Sequence, residues 1–302
     1  MNSEAQKMTG STVPRRMLGR QLKRLREQSG VSPSAAAKAI EVSTQTLWRM
    51  ESGQPGPKLK ELYVGVLCRM YGANSEETQA LTGLVAEAKK PGWWHSYSDA
   101  IPAHFDLFIG LEEAAKRLTT FQLTLVPGLL QTPEYRRAVA WIELPNHPTP
   151  EVDRLVEVHE RRRARLRDNG DRLSLDVLLA ESALHHEVGG AAVMAGQLRH
   201  LAEIGTLTNV SVRVIPQSVG SHIGLITGSF VMLEFPPHPT SRLTEPPVAY
   251  VQGYTGALYL DQHTEIGKYR DALVRLGHVA LDRERSRSLL LEMVREYEQR
   301  ER

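Results

Sequence analysis

Residues 32–53 read Ser32-Pro33-Ser34-Ala35-Ala36-Ala37-Lys38-Ala39-Ile40-Glu41-Val42-Ser43-Thr44-Gln45-Thr46-Leu47-Trp48-Arg49-Met50-Glu51-Ser52-Gly53. Ser32 and Ser43 each stand at a helix N-cap position, where a hydroxyl accepts from the unpaired N–H groups of the first turn. Pro33 suits the first helical position, since it has no N–H to leave unsatisfied. Glu41 and Val42 turn the chain between two short helices. Ala35, Ala36, Ala39 and Ile40 give the first helix a small-residue face for close packing, and Leu47 and Met50 point the second helix inward. Thr44, Gln45, Trp48 and Arg49 remain outward, with Thr46 at the margin. Gln pairs bidentately with adenine, Arg with guanine or a phosphate, and Thr meets a thymine methyl or a phosphate. The pattern predicts an exposed helix, braced by a partner, that enters the major groove of double-stranded DNA. Ser32, Ser34 and Lys38 are the phosphate candidates, and Ser43 and Thr46 complete the contact set. Trp48 either packs on sugar and backbone or folds back over the domain. Glu51 is expected to pair with an arginine such as Arg26, because phosphates repel a carboxylate.

The flanking sequence supplies a five-helix module. Leu18, Leu22 and Leu25 recur at helical spacing among Arg20, Lys23, Arg24 and Arg26, and Gly30 ends that helix. Leu59, Leu62, Tyr63, Val66, Leu67 and Met70 mark a fourth helix ended by Gly72. A fifth spans 75–90, with Glu at its start and Lys at its end, as the helix dipole prefers. Residues 1–14 are polar and aperiodic, and read as a disordered leader. Pro91-Gly92 closes the module, so the expected division is 15–90 and 91–302. Trp93, Trp94, Tyr97 and Phe105 follow at a density that needs a surface to cover, expected where the two domains dock.

The larger second part reads as mixed α and β, giving an α+β chain with a roughly five-stranded C-terminal sheet. Residues 106–120 are expected to be helical. Leu125–Thr132 is an extended or turning stretch leading into a helix at Pro133, and 150–168 a long charged helix. Strands are expected at Leu173–Ala180, Val210–Pro216, Phe230–Phe235, Val248–Gln252 and Ala257–Leu260. Helices at Ala191–Glu203, 264–280 and 283–300 complete the chain. The arginines at 161, 162, 163, 165 and 167 form either a solvated helix face, the favoured reading, or an auxiliary site for phosphate or an acidic partner.

The chain has 302 residues, 41% of them hydrophobic and 24% charged, enough for a sizeable core. Residues 1–90 carry 14 Lys+Arg against 8 Asp+Glu, a surplus of +6, while residues 91–302 carry 23 against 27, a balance of −4. A polyanion partner is therefore expected for the first part only. The single cysteine, Cys68, forbids an intrachain disulfide and Cys-rich zinc modules. No secretory h-region and no membrane span is evident, so a cytoplasmic location is expected.

Residues 18–57 resemble the Xre/Cro helix-turn-helix domains of the λ-repressor type. The matching residues are Leu22-Lys23-Arg24-Leu25-Arg26-Glu27, Ser32 with Ala36, and Val42-Ser43 followed by Leu47-Trp48-Arg49-Met50-Glu51-Ser52-Gly53. Pro33 stands where that family usually has Gln, and Glu41 where it usually has Gly, so a weakened backbone contact is expected. Further on, Gly92-Trp93-Trp94, Leu125–Thr132, Val188-Gly189-Gly190, Gln197–Leu201, Asn209–Val212 and Gly256–Leu260 make the whole chain similar to the WhiJ-like, antitoxin-like regulators of actinomycetes. The resemblance implies a DNA-binding regulator, no established enzymatic role for the larger domain, and a protein or ligand effector. A homodimer is the usual arrangement for such motifs.

No reaction is legible in the second part. His159-Glu160 lacks a second histidine at helical spacing, and there is no P-loop. In Gly220-Ser221-His222-Ile223-Gly224 the serine is not central to a nucleophile elbow, so a loop is favoured. His185-His186-Glu187 reads as structural or surface rather than metal-ligating, and Leu125–Thr132 as core packing around a fixed turn. No catalytic residue, cofactor or metal is assigned. The leading reading is a sequence-specific transcriptional regulator whose C-terminal domain senses a small partner protein or metabolite. The alternative is an antitoxin-like interaction protein that neutralises a small partner, with DNA binding secondary.

Overall fold

Val13, Met17, Leu18, Leu22 and Leu25 fall on one face of α1 (Thr12–Ser29) and are all buried. The helix therefore starts at Thr12, inside the stretch expected to be a disordered leader, because Val13 and Met17 extend its apolar face by a turn. The computed structural model describes residues 12–97, 101, 103–145, 148–167 and 172–300, so the rest of that leader lies outside the described residues. Gly30, at φ +71°, ends α1 in the left-handed region. There follow α2 (Pro33–Ala39), α3 (Thr44–Glu51), α4 (Glu61–Met70) and α5 (Ser75–Glu87). A reciprocal capping box opens α5: Asn74 Oδ1 accepts from Glu77 N at 2.8 Å and Glu77 Oε2 from Asn74 N at 3.2 Å. Cys68 is buried in α4, where burial raises its thiol pKa.

The chain packs as two units, and the helical one is not a continuous stretch. Beside the module at 15–90, it takes in residues up to 96, then 105–114 and 235–245. The middle piece comes from α6 (Ala103–Ala114), whose Phe108, Ile109 and Leu111 are buried. Trp94 is wholly buried in this unit. A Cβ on Gly110 would lie 2.0 Å from Thr12 Oγ1 and 2.9 Å from the Trp94 ring, so only glycine lets α6 approach there.

The second unit is built on a six-stranded mixed sheet. Its strands are β1 (Arg117–Gln122), β2 (Ser174–Ala180), β3 (Val210–Ile215), β4 (Phe230–Glu234), β5 (Val248–Gln252) and β6 (Ala257–Leu260), in the order β3-β2-β1-β4-β5-β6. β1, β2 and β3 are mutually parallel, and β1–β4, β4–β5 and β5–β6 are antiparallel. The parallel pairs need helical crossovers. α7 (Pro133–Glu143) and α8 (Thr149–Ala164) connect β1 to β2, and α9 (Ser182–His185) and α10 (Ala191–Ile204) connect β2 to β3. The short α11 (Gly224–Thr227) precedes β4, and α12 (His263–Val279) and α13 (Arg283–Arg300) follow β6. Phe121, Leu178, Ala180, Ile215 and Phe230 make one buried face with Ala272 and Leu276 of α12.

Two expectations are corrected. The sheet has a sixth strand, β1, near its centre, where residues 106–120 were expected to be one helix. Leu111, Ala115 and Leu118 do fall at helical spacing, but Thr119, Thr120 and Phe121 favour a pleated strand once neighbours exist on both sides. The arginine cluster is not a solvated face. Arg162 is buried, Arg163 pairs with Glu160, and Arg165 donates to the carbonyl of Ala115 at 2.9 Å, while Arg161 and Arg167 stay exposed.

That packing sets a pH dependence. Burial first, then the charges of Arg162 and Arg136, hold the His159 imidazole well below the usual histidine range. Burial, then Arg163 and Arg167, lower His200 from 6.5 to about 4. Unfolded histidines take up protons near pH 6.5, so the unfolded chain binds more protons below that value. Stability is therefore full above pH 6.5 and lost as the pH falls toward 4. Thermal melts of the whole protein should show a midpoint that drops between pH 7 and pH 4.5, with a shallower drop for His159→Gln. A wild-type slope in that variant would contradict the assignment to His159.

Candidate nucleic-acid interface

The interface candidates sit on α2 and α3, which are fixed by their own caps. Ser32 accepts from Ala35 N at 3.2 Å and Ser43 from Thr46 N at 3.0 Å, and the Ser43 and Thr46 hydroxyls lie 2.9 Å apart. Pro33 occupies the first turn of α2. Ala36, Ala37 and Ile40 are the buried face of α2; Ala35 and Ala39, expected inside, are exposed. Leu47, Met50 and Glu51 are the buried face of α3. Ser32, Ser34 and Lys38 on the first helix are exposed, as are Ser43, Thr44, Gln45, Trp48 and Arg49, while Thr46 is half-buried. Trp48 is 55% exposed, so its indole is not folded into the core of the domain.

What holds α3 is on its other side. Glu51 accepts from Arg26 at 2.7 Å and 2.9 Å, a two-pronged buried pair between α3 and α1. The hydrogen bonds that Arg26 donates to Glu51 raise its pKa further, and burial, then Glu51, pushes the Tyr71 phenol upward. A Cβ on Gly19 would lie 2.3 Å from the carbonyl oxygen of Met50, so α1 touches the last turn of α3 backbone to backbone. Gly53, at φ +65°, ends the helix against Arg16, whose Cα would lie 2.6 Å from an added Cβ.

The arginines of α1 are committed inward. Arg16 and Arg20 both donate to Glu245, at 2.7 and 2.8 Å, and that carboxylate is 3% exposed. Arg24 lies 4.0 Å from Glu77, and Arg15 donates to the carbonyls of Pro57 and Ala88. Gln21 donates to the carbonyl of Arg242, and Arg242 pairs with Glu77 at 3.1 Å. Sequence reading missed Glu245, Gln21 and Arg242. Their partners lie more than 160 residues away, and no local pattern joins them.

His185 and His186 are exposed, with His185 3.5 Å from Glu181. Among the described residues no group of three or more His, Cys, Asp or Glu could hold a metal, and no helix is long and apolar enough to cross a membrane.

A capped two-helix turn with a locked inner face and a polar outer helix defines a helix-turn-helix DNA-binding regulator, and residues 17–81 match the family model described as a helix-turn-helix domain. The chain belongs to the family described as "Domain of unknown function (DUF5753)", whose model matches residues 105–292, more than half of its length. No curated protein and no solved structure matches it significantly.

The turn between the helices carries a measurable strain. Glu41 has φ +55°, the left-handed region, which costs a residue with a Cβ about 1–2 kcal/mol. Glycine relieves that but loses about 0.5–1 kcal/mol through its freer unfolded chain. Glu41→Gly should therefore raise stability by roughly 0.5–1 kcal/mol in denaturant titration. A loss of stability would show that the Glu41 side chain contributes a contact of its own.

Proposed function

We propose that the protein is a sequence-specific transcriptional regulator that reads operator DNA with the outer face of α3. The observation that carries this is the exposed polar row Thr44, Gln45, Trp48 and Arg49 on a helix whose opposite face is buried and ion-paired. Gln45 and Arg49 supply bidentate base contacts, Thr44 and Trp48 flank them, and Ser32, Ser34, Lys38, Ser43 and Thr46 meet the phosphates on either side. The protein works in the cytoplasm as a homodimer, since a two-fold pair matches a palindromic operator.

The larger domain supplies regulation rather than catalysis. It senses a small partner protein or metabolite, in keeping with the likeness of the whole chain to WhiJ-like regulators of actinomycetes.

The test starts from genome-wide mapping of bound sites, followed by titration of a duplex carrying the recovered site. Arg49→Ala combined with Gln45→Ala should weaken binding by about 2–6 kcal/mol, given roughly 1–3 kcal/mol per bidentate contact. Wild-type affinity should fall steeply with salt as counterions are released. Unchanged affinity in the double variant would overturn the assignment of α3.

A further inference from the structure

The segment between β4 and β5 does not stay with the sheet. Glu234 ends β4, and residues 235–245 belong to the helical unit before Pro246 and Pro247 lead into β5. Within the helical unit this segment is held at three points. Glu245 takes both Arg16 and Arg20 of α1, Gln21 donates to the carbonyl of Arg242, and the Arg242 side chain reaches Glu77 in the capping box of α5. Leu243 is buried beside them.

The turn of α1 that Glu245 grips is the one against α3. Arg16 backs onto Gly53, and Gly19 backs onto the carbonyls of Met50 and Glu51. Glu245 is the carboxylate that Arg16 and Arg20 share, and drawing it away removes that shared counter-charge from two partly buried guanidiniums, which destabilises this turn of α1. The last turn of α3 loses its backing in the same step.

We propose that residues 235–245 are a strap by which the sheet unit controls the recognition helix, with Glu245 as its buckle. Because the strap is continuous with β4 and β5, a partner or ligand that shifts either strand pulls on Glu245, loosens α1 and lowers the hold on α3. Glu245 is a positioning residue in this scheme and touches no DNA. The inference rests on α3 being the DNA-reading helix, but its first readout needs no DNA.

Amide hydrogen exchange on the full-length protein tests it, with Glu245→Ala and the milder Glu245→Gln. In Glu245→Ala, residues 12–29 and 44–51 should exchange at least tenfold faster, while β2 and β3 keep wild-type rates; Glu245→Gln should fall between. Coupling between two sites is reciprocal. Operator DNA should therefore slow exchange in β5 of the wild-type protein, and that response should vanish in Glu245→Ala. Wild-type rates at 12–29 and 44–51 in both variants would overturn the proposal, as would equal loss of protection in β2 and β3. A β5 response that survives at full size in Glu245→Ala would do so too. Failure of DNA reading by α3 would appear separately, as undiminished operator binding by the Arg49 and Gln45 variants.

Discussion

The buried pair between Arg26 and Glu51 is the contact on which the arrangement of the helical unit depends. A helix of eight residues is too short to persist alone in water. Leu47 and Met50 anchor α3 by burial, but two apolar side chains fix its rotation about the helix axis only loosely. The two-pronged ion pair fixes it closely, because Arg26 Nε and Nη2 donate side by side to the two oxygens of Glu51. Removing one partner of such a pair costs about 3–5 kcal/mol, since the other charge is left buried alone. With that rotation fixed, Thr44, Gln45, Trp48 and Arg49 face outward together.

A surplus of cations in the first ninety residues invites the view that all of them face a polyanion. The structure divides them. Arg15, Arg16, Arg20 and Arg26 are bound to internal carbonyls or carboxylates, whereas Lys38 and Arg49 stand exposed in the last turns of α2 and α3. Net charge describes long-range attraction, and the pairing pattern decides which cations remain for close contact. Glu245 matters on both counts, since it comes from the acidic part of the chain and neutralises charge in the basic part.

What was legible in the sequence was local. Ser32 and Ser43 announce their helices because a cap acts within three residues, and the Arg26–Glu51 pairing followed from the poor fit of a carboxylate near phosphates. The β-strands at Val210 and Val248 were visible through alternation and apolar runs. Less legible was anything that depends on distant chain. β1 reads as the tail of a helix because Leu111, Ala115 and Leu118 keep helical spacing into its first residues, and only its neighbours β2 and β4 select the strand. Arg162 and its neighbours looked like a solvated face until burial against the turn at Gly128 was known. Glu245 followed by two prolines carries no mark of its partners on α1.

We propose α3 and the start of α2 as the DNA-contacting surface. Amide exchange of the full-length protein, with and without a duplex carrying its mapped site, tests this most directly. Protection on binding should concentrate in residues 32–38 and 43–49. Unchanged exchange there, with protection appearing at other segments of the helical unit, would contradict the account.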